Sequence, residues 1–295
     1  MMRRAPREEG HERVMYSALL DAVRGLRWRA RRTSRIAVPG IHPSRVRGSS
    51  AEFTEYRPYR QGDDLRRIDW KLFARSDRAH VRISEERAVT PTYLVLDASA
   101  SMAYPDGLGS KWSAAEQLVV ALVSVAHAGG DPAGLMVSGN PRSTIPPRTR
   151  RGIVAEVMQT LARVRPAGAA ALAPSVVAAA RSSTRIAIVS DFLGDLDETL
   201  RVARELIAAG RDVHALHVIA SEEVDPPASV SVVTDPEMED VRRALGGATR
   251  AAYVRACAEW RESTASRWLA SGAACCSRAR RARARTPSAG RWLIP

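Results

Sequence analysis

The spacing of apolar residues changes several times along this chain. Between residues 11 and 32, Met15, Leu19, Leu20, Val23 and Leu26 recur every three or four positions among arginines, which predicts a helix with one apolar stripe. "VPGIHPS" then breaks the pattern with two prolines and a glycine. Residues 51–88 are dense in charge: "QGDD" predicts a turn, and Asp63 or Asp64 is placed to cap a short helix starting near Leu65. Strand-like alternation follows, with Val81 and Ile83 on one face and Arg82 and Ser84 on the other. From Pro91 the chain alternates short apolar runs with helical periods. "YLVL", "IAIV" and "HALHVI" read as strands buried on both faces. "GDPAGLMVSG" and "SVSVVTD" hold further strands. "KWSAAEQLVVALVSVAHA", "RGIVAEVMQTLARV", "LAPSVVAAARSS", "DETLRVARELIAAG" and "ATRAAYVRACAEWRESTASRWLA" read as helices. The alternation predicts an α/β domain, a mostly parallel sheet with helices on both faces.

Composition narrows the class. At 295 residues, 45% apolar and 26% charged, the chain is long enough to bury a core. No run reaches the roughly 18–20 apolar residues of a membrane span, and "MMRRAPREEGHERVMY" lacks the apolar stretch of a secretory signal, so a cytoplasmic protein is expected. Three cysteines, Cys257, Cys275 and Cys276, show no C-x-x-C spacing and predict neither a zinc site nor a disulfide framework. The net charge of +13 is concentrated at the ends. Residues 1–47 hold 12 Arg against 4 acids, and residues 267–295 hold 7 Arg and no acid. Such ends suit solvated tails, or contact with nucleic acid or an anionic membrane surface.

The candidate chemistry lies where two strands end. "YLVLD" stops at Asp97 and "IAIVSD" at Asp191, and in open α/β sheets ligands bind beyond the carboxyl ends of the strands. Ser99 and Ser101 follow Asp97 at alternate positions, so both hydroxyls can turn the same way as the carboxylate. An all-oxygen set suits a hard cation such as Mg²⁺. The same residues also suit an ordinary turn beside a helix cap. His127, His214 and His217 sit in apolar surroundings and read as packed side chains. No G-x-S-x-G or phosphate-loop pattern occurs, and Ser99 stands where a D-x-D phosphatase needs its second Asp.

"LDASASM" resembles the D-x-S-x-S element of von Willebrand factor A domains, with "KWSAAEQL" opening the first helix after it. "GIHPS" and "EFTEYRPYRQGDDLRRIDWKLFARSDRAHVR" upstream resemble the bacterial family called domain of unknown function 58, which is associated with MoxR-type AAA+ ATPases. The likeness runs over roughly residues 39–270. It implies a von Willebrand factor A-like fold with an N-terminal charged extension, and a Mg²⁺ (or Mn²⁺) site. In that site Ser99 and Ser101 bind directly, while Asp97 and Asp191 act through waters. A Thr that usually follows in "GGT-x-L" falls at Ala170 in "AGAAAL", so the metal is expected to be weakly held or absent. Thr184 and Ser175 have no spacing that recruits them.

The domains expected are a basic helical segment over 1–38, a charged insert over 39–90 packing on the A domain, the A-like domain over 91–272, and a disordered basic tail over 273–295. Arg57, Arg60, Asp63, Asp64, Arg66, Arg67, Asp69 and Trp70 crowd one stretch of the insert. They form either a salt-bridge network pinning the insert or a partner-docking face. The resemblance implies a non-catalytic, metal-dependent protein-binding adaptor that works with a MoxR-type ATPase on client proteins. The alternatives are a metal-dependent hydrolase, and a nucleic-acid or membrane-surface binder acting through the Arg-rich termini; nucleic acid is the less expected partner.

Overall fold

The computed structural model describes residues 16–28, 39–43, 53–84, 87–105, 109–140, 143–230, 232–234 and 242–280. The chain divides into two compact units, one of residues 29–90 and the other joining the chain up to Trp28 with Pro91 onward. In the larger unit the first described helix is α1 (residues 16–22), which ends before the stripe over 11–32 does. Gly25 takes a φ of 83°, the left-handed conformation that closes helices, and residues 26–28 run on without helical structure. Residues 11–15 and 29–32 lie outside the described residues.

The smaller unit is built from two antiparallel pairs. Strand β1 (Pro39–Pro43) pairs with β4 (Arg87–Ala88), and β2 (Phe53–Pro58) pairs with β3 (His80–Ser84). Between β2 and β3 lie a 3₁₀ turn at Leu65–Arg67 and helix α2 (Trp70–Ser76). Two aspartates start these helices. Asp64 accepts from Arg66 N, and Asp69 accepts from Lys71 N and Leu72 N, satisfying donors that the first turn leaves free. Ile68 and Val81 are buried here.

The larger unit holds β5 (Thr92–Leu96), α3 (Lys111–Ala128), β6 (Ala133–Val137), β7 (Ile145–Arg148), α4 (Ile153–Leu161), α5 (Leu172–Ala180), β8 (Arg185–Ser190), α6 (Leu196–Ala208) and β9 (Asp212–Ala220). After these come α7 (Ser221–Val224), an antiparallel pair β10 (Val232–Thr234) and β11 (Arg242–Ala244), α8 (Gly247–Ala270) and β12 (Ala274–Arg280). The central sheet has the order β12–β9–β8–β5–β6–β7 and is parallel except at β7. Alternate residues of each strand feed opposite cores. Leu94 and Leu96 join Ala187 and Val189 under α1, α3 and α4. Tyr93 and Val95 join Ile186 and Ile188 under α5, α6 and Trp268 of α8.

The edge strand β7, "IPPR", has two prolines, which only an edge or a bulge tolerates. A Cβ on Gly134 would stand 2.5 Å from the Ile145 carbonyl oxygen, so only glycine lets β7 cross this close to β6.

The opposite edge corrects an expectation. Residues from 273 onward were expected to form a disordered tail, yet Ala274–Arg280 run parallel to β9, from Ala274 opposite His214 to Arg280 opposite Ala220. An edge strand needs backbone pairing on one side only. Trp268, fully buried, already fills the core beside Ala273, so small residues are what fit there. Residues 281–295 lie outside the described residues.

Opposite the site end of the sheet, Arg185 is fully buried and pairs with Asp131 at 3.2 Å and Asp212 at 3.5 Å. Its guanidinium also donates to the Trp28 carbonyl at 3.2 Å and lies 4.7 Å from the centre of the Trp28 ring. This cluster anchors the segment after α1 to the strand bases. Among the described residues, no helix is long and apolar enough to cross a membrane.

Candidate metal-binding and partner-binding site

Strand order decides where a site can form. From β5 the chain crosses through α3 to β6 on one side, whereas β8, on the other side of β5, leads into α6 on the opposite face. The loops after β5 and β8 therefore part, leaving a crevice at the carboxyl ends of these two strands. Asp97 follows β5 and Asp191 follows β8, both almost wholly buried.

Asp97 is held on both oxygens. Oδ1 accepts the Ser99 backbone N–H at 2.9 Å, and Oδ2 accepts the Ser190 hydroxyl at 2.6 Å. Burial pushes its carboxyl above the usual range; the Ser190 hydrogen bond opposes this, and the Asp191 charge adds to it. Ser99 and Ser101 turn the same way, with their Oγ atoms 3.0 Å apart. The loop carrying them is tied to the segment before α5, since Ala100 N donates to the Gly168 carbonyl and Ala167 N to that of Ala98. That tie brings Ala170 to the site. A cavity of about 320 Å³ is lined by Asp97, Ser99, Ala170, Phe192, Asp195 and Thr199, among others.

Asp191 has a different neighbourhood. Lys111, the first residue of α3 and 1% exposed, donates from Nζ to Asp191 Oδ2 at 2.7 Å and to Glu223 Oε1 of α7 at 2.5 Å. Burial works against the Lys111 charge, but the two carboxylates outweigh it and hold the ammonium above its ordinary range. Glu223 is pushed up by burial, against the pull of Lys111. Asp191 and Glu223 open onto a second cavity of about 210 Å³, walled by Tyr253, Cys257 and Trp260. Phe192, next to Asp191, has a φ of 55°, uncommon for an aromatic residue, and its N–H donates to Ser190 Oγ at 2.8 Å.

The donor set suits a hard divalent cation in part. Two cis ligands on Mg²⁺ at 2.0–2.1 Å stand about 3 Å apart. The Ser99 and Ser101 oxygens already have that separation. Asp97 keeps free lone pairs beside its two hydrogen bonds. Among the described residues no group of three or more His, Cys, Asp or Glu could hold a metal, so a cation here depends on the serine hydroxyls. The Asp97–Ser99–Ser101 half fits such an ion. Ala170 brings no oxygen to the same cavity, and Asp191 is already engaged by an ammonium. Lys111, Glu223 and Ser190 carried no signal in sequence: Lys111 reads as an ordinary helix start, and Glu223 lies far along the chain.

The expected histidines are packed. His214 lies edge-on to Trp28, and its Nε2 is 3.2 Å from Asp212. His217 is buried between Phe192 and Trp260, and burial lowers its pKa to about 4. His127 is half-buried in α3.

In the smaller unit the crowded charges separate into two groups. Asp63 accepts from Arg57 Nη2 and Arg60 N, each at 2.8 Å. Asp69 takes the Tyr56 hydroxyl at 2.7 Å besides capping α2. These groups are engaged within the unit itself, and Asp64 caps the 3₁₀ turn. Arg60, Arg66 and Trp70 face outward, with Trp70 61% exposed and stacked edge-on against Phe73. The Arg67 side chain lies outside the described residues.

Parallel strands with helices on both faces, and D-x-S-x-S at the switch point, define a von Willebrand factor A-like protein. Residues 55–263 match the family described as Protein of unknown function DUF58, and the chain belongs to that family. Uncharacterized proteins of Mycobacterium tuberculosis and Mycobacterium bovis are each 32% identical over 235 residues, 77% of this chain and 74% of theirs. Among solved structures, BatB from Bacteroides thetaiotaomicron is similar at 17% identity and a TM-score of 0.45, over 64% of this chain and 89% of that one. The VWA domain of SpRpn10 is similar at 10% identity and a TM-score of 0.39, over 66% and 91% of the two chains.

Proposed function

We propose that this protein is a non-catalytic adaptor that binds a partner protein through a Mg²⁺ or Mn²⁺ ion held by Asp97, Ser99 and Ser101. The observation that carries this reading is the pair of buried hydroxyls 3.0 Å apart beside a buried carboxylate, opening onto a cavity. A cation there supplies positive charge and an open coordination position for a carboxylate of the partner. The cavity at Asp97 is lined by carboxylates, hydroxyls and apolar groups, the oxygen donors that a hard cation takes, which supports metal binding there. The partner proposed is a MoxR-type AAA+ ATPase, on the family resemblance, with the pair acting in assembly or maturation of client proteins. Trp70 and the outward arginines of the smaller unit supply a second contact for the same ATPase.

The test is affinity capture of a purified MoxR-type ATPase by wild type and Asp97→Ala, with Mg²⁺ and with EDTA. Capture that needs Mg²⁺ and is lost in Asp97→Ala supports the proposal. Equal capture in all four arms overturns it.

A further inference from the structure

Lys111 has no role in the binding scheme above, yet it is the most deeply buried cation near the site. Its ammonium sits on Asp191, the carboxylate that follows β8 as Asp97 follows β5, and is shared with a second carboxylate, Glu223. Glu223 is itself fixed, since its other oxygen accepts Ala220 N at 2.9 Å. Lys111 therefore has two anchors, Asp191 just after β8 and Glu223 in α7. A lysine with four rotatable methylenes can give up the first and keep the second.

Resting on the metal-binding reading, we infer that Lys111 is a built-in competitor for the metal: its ammonium occupies Asp191 when the site is empty and must retreat to Glu223 alone before Asp191 can help hold a cation. The metal affinity is thus set low by the chain's own charge, independently of the oxygen that Ala170 omits. An opposite charge within hydrogen-bond distance changes a carboxylate's affinity for a proton by about ten- to a thousandfold, and the same scale applies to another cation.

The decisive variant is Lys111→Met/Glu223→Gln. It removes one positive and one negative charge together, so the net charge of the site is unchanged while Asp191 is freed. Mn²⁺ affinity by titration calorimetry should tighten at least tenfold over wild type. Lys111→Met alone should tighten it further, and Lys111→Arg should leave it near the wild-type value. Thermal melts without metal establish that each variant is folded, and either Met-bearing variant suffices if the other does not fold. Wild type binding Mn²⁺ with no tightening in the folded variants overturns the inference and leaves the metal reading standing. No binding by any of them overturns both.

Discussion

On the proposed reading, the side chain at position 170 sets how tightly the site holds a cation. Ala170 lines the same cavity as Asp97 and Ser99, and its side chain brings no oxygen to it. Ala170→Thr adds a hydroxyl where the family pattern has one, and should raise Mg²⁺ affinity about tenfold in titration calorimetry, on the scale of one charge-assisted ligand. An unchanged or lower affinity would mean that the Thr oxygen does not reach the cation. Asp97, Ser99, Ser101 and Asp191 were legible in sequence because each follows the end of an apolar strand at a fixed spacing. Lys111 and Glu223 were not, because their meeting depends on where α3 and α7 start in space and no short-range pattern encodes that.

Elements were legible in proportion to how well their own residues explain them. α3 spans the residues its apolar period predicts, and β5, β8 and β9 are read directly from their buried runs. The two sheet edges were not. β7 carries prolines that argue against a strand, and β12 is built from alanine, cysteine, serine and arginine. What places them is the neighbouring strand and, for β12, the bulk of Trp268. A chain truncated after Gly272 should therefore lose stability: it leaves β9 paired with β8 alone and removes the buried Ala273 and Ala274. The expected fall in melting temperature is several degrees, since each 1 kcal/mol is worth about 2–4 °C in a domain of this size. A melting temperature equal to that of the full chain would show that β12 contributes nothing to the fold.

At the scale of the whole molecule, the chain forms two compact units. The aspartates of the smaller unit work inward, while Trp70 points out with Arg60 and Arg66. Exposed tryptophan in such a setting is a common centre of binding energy, and removing it from a surface changes stability by about 0.5 kcal/mol or less. Trp70→Ala should therefore weaken capture of the ATPase at least tenfold while the melting temperature and the Mn²⁺ affinity stay as in wild type. Capture at the wild-type level would remove Trp70 from the interface.

The position of β12 in the chain also bears on how the protein is made. Every other strand of the central sheet precedes α8, and β12 follows it. On the ribosome, β9 can pair with β8 while its other side still lacks a neighbour. That bare edge persists, on the order of seconds at ordinary synthesis rates, until the residues after α8 emerge. An unpaired apolar strand is a template for pairing with another nascent chain. A message cut short within α8 leaves it so permanently, which makes the stretch of translation between β9 and β12 an interval in which this edge is open to misassembly.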